Sequence, residues 1–407
     1  MNPWPLIRAA VTRYRGSALA FVVLVAAGVA LSVALVSQER ALRTGSARAA
    51  DRFDLIVAAT GSRTDTLLAT VFLRPGNIQL LSPATSAGLL NDTRASFVSP
   101  LAFGDSYRGL PVVGVTAALV EHLSGGLAEG RGFARRTEAV VGSAARLQVG
   151  ERFYPTHGVH HSGTAHGGDD ALDAHEVEIV VVGRMKPTGS PWDRAVMVPV
   201  ELVWETHHLP VGHAPTSTRL GPPFDEAFTP GVPAAVVRTA NLAEAYKLRR
   251  AYSGRESMAF FPAEALVQLY EVLGDIRQLV SLLAVVTQGL VLLSITASVF
   301  ILFRLLTPQF ATLRALGAPR RFVFTAAWGF TAVLILAGIV AGLLGGFVLS
   351  FGIGESLARR TGISLQPRLG GEEALMASIL LLIGFLLAVL PAWSAQRRCL
   401  AGALKDH

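Results

Sequence analysis

Residues 16–38 read GSALAFVVLVAAGVALSVALVSQ, and no Asp, Glu, Lys or Arg interrupts them. Three further stretches share that property: 278–303, 322–354 and 374–396. A helix of about 20 apolar residues crosses the hydrocarbon core of a bilayer, so each stretch qualifies as a span. Between the first and second lies a long polar segment, 39–277. The layout predicts an integral membrane α-helical protein with four transmembrane helices, one plus three. A large mixed α+β extracytoplasmic domain is inserted between helices 1 and 2.

Charge sets the orientation. The chain carries a formal +7, and segments 1–15, 304–321 and 397–407 concentrate it. They hold Arg8, Arg13, Arg15, Arg304, Arg314, Arg320, Arg321, Arg397, Arg398 and Lys405 against one acid, Asp406. The loop 355–373 balances Arg359, Arg360 and Arg368 with Glu355, Glu372 and Glu373, and 39–277 is slightly acidic. By the positive-inside rule 1–15 is a cytoplasmic N-terminus, 304–321 a cytoplasmic loop and 397–407 a cytoplasmic tail. The domain 39–277 and the outer loop 355–373 then face away from the cytoplasm. The expected protein is multi-pass, with its large domain outside the cytoplasm. The basic excess sits at the membrane ends rather than in a patch on the domain, which argues against nucleic acid as a partner. The first apolar run is longer than a signal-peptide core, and Ser37-Gln38-Glu39-Arg40 is no small-residue cleavage site, so an uncleaved anchor is expected. The single cysteine, Cys399, leaves the outer domain without disulfides, to be held by burial alone.

Within 39–277, β-prone runs occur at 53–57, 77–81, 111–115, 178–182, 195–198 and 234–237, with Gly and Pro between most of them. Asn241 with Glu244 predicts a capped helix that Gly254 closes. The Gly/His-rich stretch 156–176 divides two candidate lobes. Residues 39–52 and 262–277 predict helices that continue the first two spans outward.

No span carries an ionisable residue, so none offers the groups that ion pathways need. Gly338, Gly342 and Gly346 recur every fourth residue, which lets a second helix approach closely, in the same bundle or in a second copy. In 304–321, Thr307 and Pro308 suit a helix start and Gly317 a helix end, predicting a short separate helix. It is read either as an interfacial helix or as a knob for another protein.

Thr312-Leu313-Arg314-Ala315-Leu316-Gly317-Ala318 resembles the "LRALGA" element of FtsX/MacB-type ABC permeases. Leu390-Pro391-Ala392-Trp393 with Arg397-Arg398 and Ala403-Leu404 is similar to that family's ending. Asp54 to Val57, Gly76-Asn77-Ile78, Pro100 to Gly109, Thr188-Gly189 and Asp193-Arg194 resemble the MacB-type periplasmic core. The resemblance implies a non-catalytic permease subunit that transmits ATP hydrolysis by a separate cytoplasmic ABC ATPase dimer to its periplasmic domain. It also implies a second permease copy, identical or a paralogue, surrounding lipid, and a periplasmic binding protein. With no Gly-Lys dipeptide the chain has no P-loop, so ATP acts only through the partner. ATPase coupling is expected at Phe310, Leu313, Arg314, Leu316 and Gly317. Thr307 to Ala311 departs from the Arg and Glu that relatives usually carry there. An FtsX-like scaffold controlling a periplasmic hydrolase is the alternative function. Catalytic signatures such as G-x-S-x-G and H-E-x-x-H are absent from the chain.

Most of the ten histidines lie between 157 and 213. Five share one loop, His157, His160, His161, His166 and His175, with Asp169, Asp170 and Asp173 among them; His207, His208 and His213 form a second group. Imidazole with carboxylate suits zinc, copper or nickel. The spacing fits no fixed tetrahedral set, so weak metal capture by the five loop histidines and a merely solvated loop both stand. A branch of these permeases is associated with zinc handling, which makes zinc the candidate metal and a metal-linked envelope substrate the candidate cargo.

Overall fold

A computed structural model describes residues 2–74, 76–157, 175–272, 274–368 and 370–401. The elements begin with α1 (Trp4–Arg13), α2 (Arg15–Ala50), β1 (Leu55–Ala59), α3 (Arg63–Thr70), α4 (Pro83–Leu90), β2 (Ala95–Tyr107) and β3 (Leu110–Val115). Next come α5 (Ala117–Ser124), β4 (Leu127–Gly130), β5 (Glu138–Val141), β6 (Arg152–Phe153), β7 (Thr156–His157), β8 (Ile179–Met185) and β9 (Val196–Pro199). The chain continues through α6 (Val200–Thr206), β10 (Ala234–Thr239), α7 (Leu242–Ala251), β11 (Ser257–Phe260) and α8 (Pro262–Val272). The last elements are α9 (Gly274–Ala315), α10 (Arg320–Thr361) and α11 (Gly371–Ala401). Contacts divide them into two compact units: Met1–Leu42, Gly274–Ser356 and Leu365–His407 in one, Arg43–Leu273 and Leu357–Ser364 in the other.

The first unit is helical. Among the described residues, four helices are long and apolar enough to cross a membrane, with candidate spans at Arg15–Ala50, Leu282–Ile301, Arg320–Arg359 and Gly371–Val389. Val25, Val29, Ile295, Phe330, Ile335 and Ile339 lie in its buried cluster. The glycine stripe packs within the chain, against α2. A β-carbon on Gly338 would lie 2.8 Å from Val25, one on Gly342 would lie 2.8 Å from the Ala26 carbonyl, and one on Gly346 would lie 2.8 Å from the Ala30 carbonyl. At the start of α11, Glu372 and Glu373 sit where the helix dipole favours acids. Arg40 pairs with them at 2.9 and 3.0 Å, so these loop charges are used in packing rather than left to balance one another in water.

One expectation for this unit is corrected. The separate helix between the second and third spans is instead the end of α9, which runs unbroken through Pro308. Proline removes one backbone N–H from the ladder, but apolar packing on both sides of it keeps the helix going: Val299 and Phe310 belong to the same buried cluster. The segment before the first span holds α1, whose Ile7 packs at 2.9 Å from the position a Gly329 β-carbon would take.

The second unit is built on a sheet ordered β11-β1-β10-β2-β3-β9-β5-β8-β4, with β6 on β8 and β7 on β2. The pairs β3–β9 and β5–β8 are parallel, and the other pairs are antiparallel. Leu55, Val57, Phe153, Val181, Val198 and Trp204 lie in its core. Side-chain caps start the helices: Ser62 accepts from Asp65 N at 3.1 Å, Ser82 from Thr85 N at 3.2 Å and Asn241 from Glu244 N at 2.9 Å. Glu244 does not complete a capping box; it pairs with Lys247 at 2.7 Å. Tyr252, not Gly254, closes α7. The stretch 77–81 forms no ladder: Leu81 is buried and bonded through its N–H to the Val232 carbonyl at 2.8 Å, an extended connection along the sheet's margin. Helix α2 runs on to Ala50, as expected for 39–52, and the described residues of 262–277 are helical as expected, in α8 and the start of α9.

A bidentate pair braces β5. Arg131 donates to both Glu138 oxygens at 2.7 Å and Ala134 N to one at 2.8 Å. The guanidinium, working against burial, holds the Glu138 carboxyl down at about 2. A depressed carboxylate contributes stability that is complete above the ordinary glutamate range and is lost as pH falls toward 2.

Candidate functional site

The site begins with an irregularity in β2. Its register against β3 shifts between Ala102 and Asp105, a bulge that contains Gly104 at φ +149°. Bulges re-aim side chains, and here the result is a nearly buried carboxylate, Asp105, beside the β7 pairing. Register places His157 of β7 directly opposite Asp105. Thr156 holds that short strand by donating to the Ser106 carbonyl at 3.1 Å. His175 is fixed from its backbone, donating N–H to the Pro155 carbonyl at 2.9 Å. His207 comes from the end of α6. Buried Trp204 anchors that helix in the core, and three residues on His207 caps its C-terminus. His208 then reverses the chain at φ +57°, and Leu209 N bonds back to the Trp204 carbonyl at 2.8 Å. This is a Schellman-type ending.

Four ligand atoms converge within 4.8 Å of one another, from Asp105, His157, His175 and His207. From Asp105 Oδ1 the distances are 3.3 Å to His157 Nδ1, 2.9 Å to His175 Nε2 and 3.5 Å to His207 Nε2. The three rings lie 4.5 to 5.7 Å apart between centroids. His175 Nε2 hydrogen-bonds the carboxylate. His207 Nε2 is shut off from solvent and makes no hydrogen bond. Burial, assisted by the neighbouring His157, His175 and His208 and opposed by Asp105, lowers the His207 pKa and favours the neutral imidazole that a metal requires. Glycine suits position 104, where φ is +149° and a β-carbon would crowd His207 Nε2 at 3.0 Å.

Two of the five expected loop histidines, His157 and His175, therefore reach the cluster. His160, His161 and His166, with Asp169, Asp170 and Asp173, lie outside the described residues. The second histidine group separates. His207 joins the cluster and His208 is exposed. His213 is buried in stacking contact with Phe224, with its Nε2 3.7 Å from Glu201. Sequence reasoning left Asp105 and His207 out of the ligand set. The glycine interrupting a strand pattern at 104 was the available signal for a bulge.

The other expected site is the end of α9. Phe310 is buried in the helical cluster and Leu313 packs partly against it, so Phe310 is not presented to a partner. Arg314 donates to the Ala318 carbonyl at 3.1 Å, and Gly317 at φ +88° ends the helix as expected. Leu316 is 80% exposed. Residues 281–399 match the family model described as FtsX-like permease C-terminal. The C-terminal part of the chain is thus similar to an FtsX-like permease domain. No curated protein matched the chain. The permease match covers most of α9 and α11 and all of α10, and the LRALGA-like turn falls inside it. FtsX-like permeases are membrane subunits of ABC systems, which agrees with four span-length helices in this chain.

Proposed function

We propose that this chain is the permease subunit of an ABC-type complex that transmits ATP hydrolysis by a separate ATPase dimer to an extracytoplasmic sheet domain. The observation that carries this reading is the FtsX-like match over residues 281–399, on spans without an ionisable residue. Apolar spans of that kind move as levers and offer no polar route through the membrane. The positive-inside pattern supports an inner-membrane location with the sheet domain, a MacB-type core, in the periplasm. A second permease copy, identical or a paralogue, completes the complex. The cargo is an envelope substrate whose handling is tied to zinc or another transition metal, received from a periplasmic binding protein. The histidine–carboxylate cluster supports that link.

Motion has covalent routes. Helix α2 is unbroken from its first span to Ala50, within four residues of β1. At the far end of α10, Leu357–Ser364 is packed as part of the sheet-bearing unit. There Ser364 N donates to the Gly189 carbonyl at 3.1 Å, and the Arg194 guanidinium donates to the Arg359 carbonyl.

On the cytoplasmic side the contact is assigned to Leu316 and its turn, because Phe310 is already buried. Leu316→Asp is expected to cut co-purification of the ATPase with the full-length permease at least tenfold, leaving membrane insertion unchanged. Undiminished co-purification would remove this turn as the coupling contact.

A further inference from the structure

We propose that Asp105, His157, His175 and His207 bind one zinc ion per chain, exchangeably, and that the ion fastens four separate pieces of the sheet unit together. The proposal deepens the metal link in the function above, and rests on that reading only for its consequence in transport.

The distances from the carboxylate lie close to those of a zinc site, and the four donors stand within 4.8 Å of one another, so that a bound ion would draw them inward. Zinc bonds of about 2.0–2.1 Å in a tetrahedron give edges of about 3.3–3.4 Å between donors. The three edges from Asp105 Oδ1 are 3.3, 2.9 and 3.5 Å. Hydrogen bonding alone does not account for the arrangement: among the three imidazoles only His175 is bonded to the carboxylate, and buried His207 Nε2 has no partner. A buried nitrogen aimed at a carboxylate without a bond loses its hydration for nothing unless an ion stands between them. Three imidazoles and one carboxylate are donors for zinc and its neighbours in softness, and a poor set for magnesium or calcium, which take oxygen shells.

Exposure argues for exchange. The side chain of Asp105 is 2% exposed, His175 12%, His207 23% and His157 52%. The ion is therefore gripped from below by the bulged strand and reached from the side of His157. Strand β7, which carries His157, pairs with β2 through Thr156 and His157 among the described residues. Zinc would clamp β7, the chain at His175 and the end of α6 to β2, so occupancy changes how firmly these pieces are held. That gives the domain a metal-dependent state.

The test uses the full-length permease in detergent, stripped with a chelator and titrated with zinc against a chromophoric zinc indicator. One ion per chain is expected, with excess magnesium failing to compete. Asp105→Asn and His207→Ala are each expected to weaken binding at least about tenfold, the lower end found even for residues that merely support a ligand. His157→Ala, on a short strand with a half-exposed side chain, gives the same readout should the buried variants fail to fold. The triple variant His160→Ala, His161→Ala, His166→Ala is expected to keep the one-ion site. Unchanged affinity in the single variants, no zinc uptake by the wild-type chain, or loss of the site in the triple variant overturns the proposal. ATPase co-purification is measured on the same samples. Zinc bound without ATPase would sink the transmission reading alone, and ATPase bound without zinc would sink this site alone.

Discussion

Gly342→Leu is expected to prevent the helical unit from assembling. A β-carbon at 342 would stand 2.6 Å from Val29 Cβ and 2.8 Å from the Ala26 carbonyl oxygen, and the rest of a leucine has to follow it. The carbonyl is locked in helix α2 and cannot swing aside, so the two helices must part along their length. Gly338 and Gly346 make the same approach one turn away on either side, and separation there forfeits their packing too. Between apolar helices in lipid, close packing supplies much of the attraction, because the hydrophobic effect does not favour helix over lipid tails. Forcing extra methylenes into a tight contact costs about 1–3 kcal/mol in ordinary cores, and a three-turn seam against backbone lies at or above the upper end. Gly352 on the same helix has nothing within 4 Å, and Gly345 meets only Ala30 at 3.9 Å. Size-exclusion profiles in detergent should therefore show Gly342→Leu aggregated, with Gly352→Leu and Gly345→Ala monodisperse. A monodisperse Gly342→Leu protein with wild-type melting would refute the α2–α10 seam.

Asp193→Ala is expected to loosen the turn that holds the end of α10 within the sheet unit. The Asp193 carboxylate accepts from Thr188 N at 2.8 Å, Thr188 Oγ1 at 2.9 Å and Gly189 N at 2.7 Å. It is almost wholly buried, so alanine leaves two backbone N–H groups without an acceptor, while the Thr188 hydroxyl keeps Ser190 Oγ at 2.7 Å. Each such group costs about 1–3 kcal/mol, which puts the total at about 2–6 kcal/mol. Beyond this turn, Gly189 accepts from Ser364 N, and Gly362 lies so close to Pro191 that a β-carbon would stand 2.8 Å from its Cα. Hydrogen exchange at Thr188, Gly189 and Ser364 should accelerate by about a hundredfold or more in Asp193→Ala, since 1.4 kcal/mol is a factor of ten in a local opening equilibrium. Exchange in β1 and β10 should stay at the wild-type rate. Unchanged exchange at Ser364 would show that the turn is held by something other than this carboxylate.

The spans were legible because a run of uncharged residues has a meaning that no tertiary contact can override: bilayer thickness sets the length and charge sets the ends. The glycine stripe was legible as a seam, but not its partner, because Val25 and Val29 look like any other apolar residues of a span. The end of α9 misled. Thr307-Pro308 is a good helix start in isolation, but the helix runs through it, with Val299 before it and Phe310 after it buried in one cluster. Residues 77–81 misled in the opposite way, since β-prone side chains alone do not make a strand without a ladder partner. In the metal cluster, composition pointed to His157 and His175. Asp105 and His207 are distant in sequence from that loop and meet it only through a strand pairing, a bulge and a helix end. Thr188-Gly189 and Asp193-Arg194 read as a family likeness in sequence. In the fold they are one hydrogen-bonded turn.

The central claim is that the sheet unit and the α9–α10 turn lie on opposite sides of a membrane. With Cys399 replaced by Ser, Ala240→Cys places a thiol at an exposed position of the sheet unit, and Leu316→Cys places one at the exposed turn. A membrane-impermeant maleimide applied to intact cells should label Ala240→Cys at once and Leu316→Cys only after lysis. Labelling of Leu316→Cys in intact cells, with Ala240→Cys protected until lysis, would contradict the account.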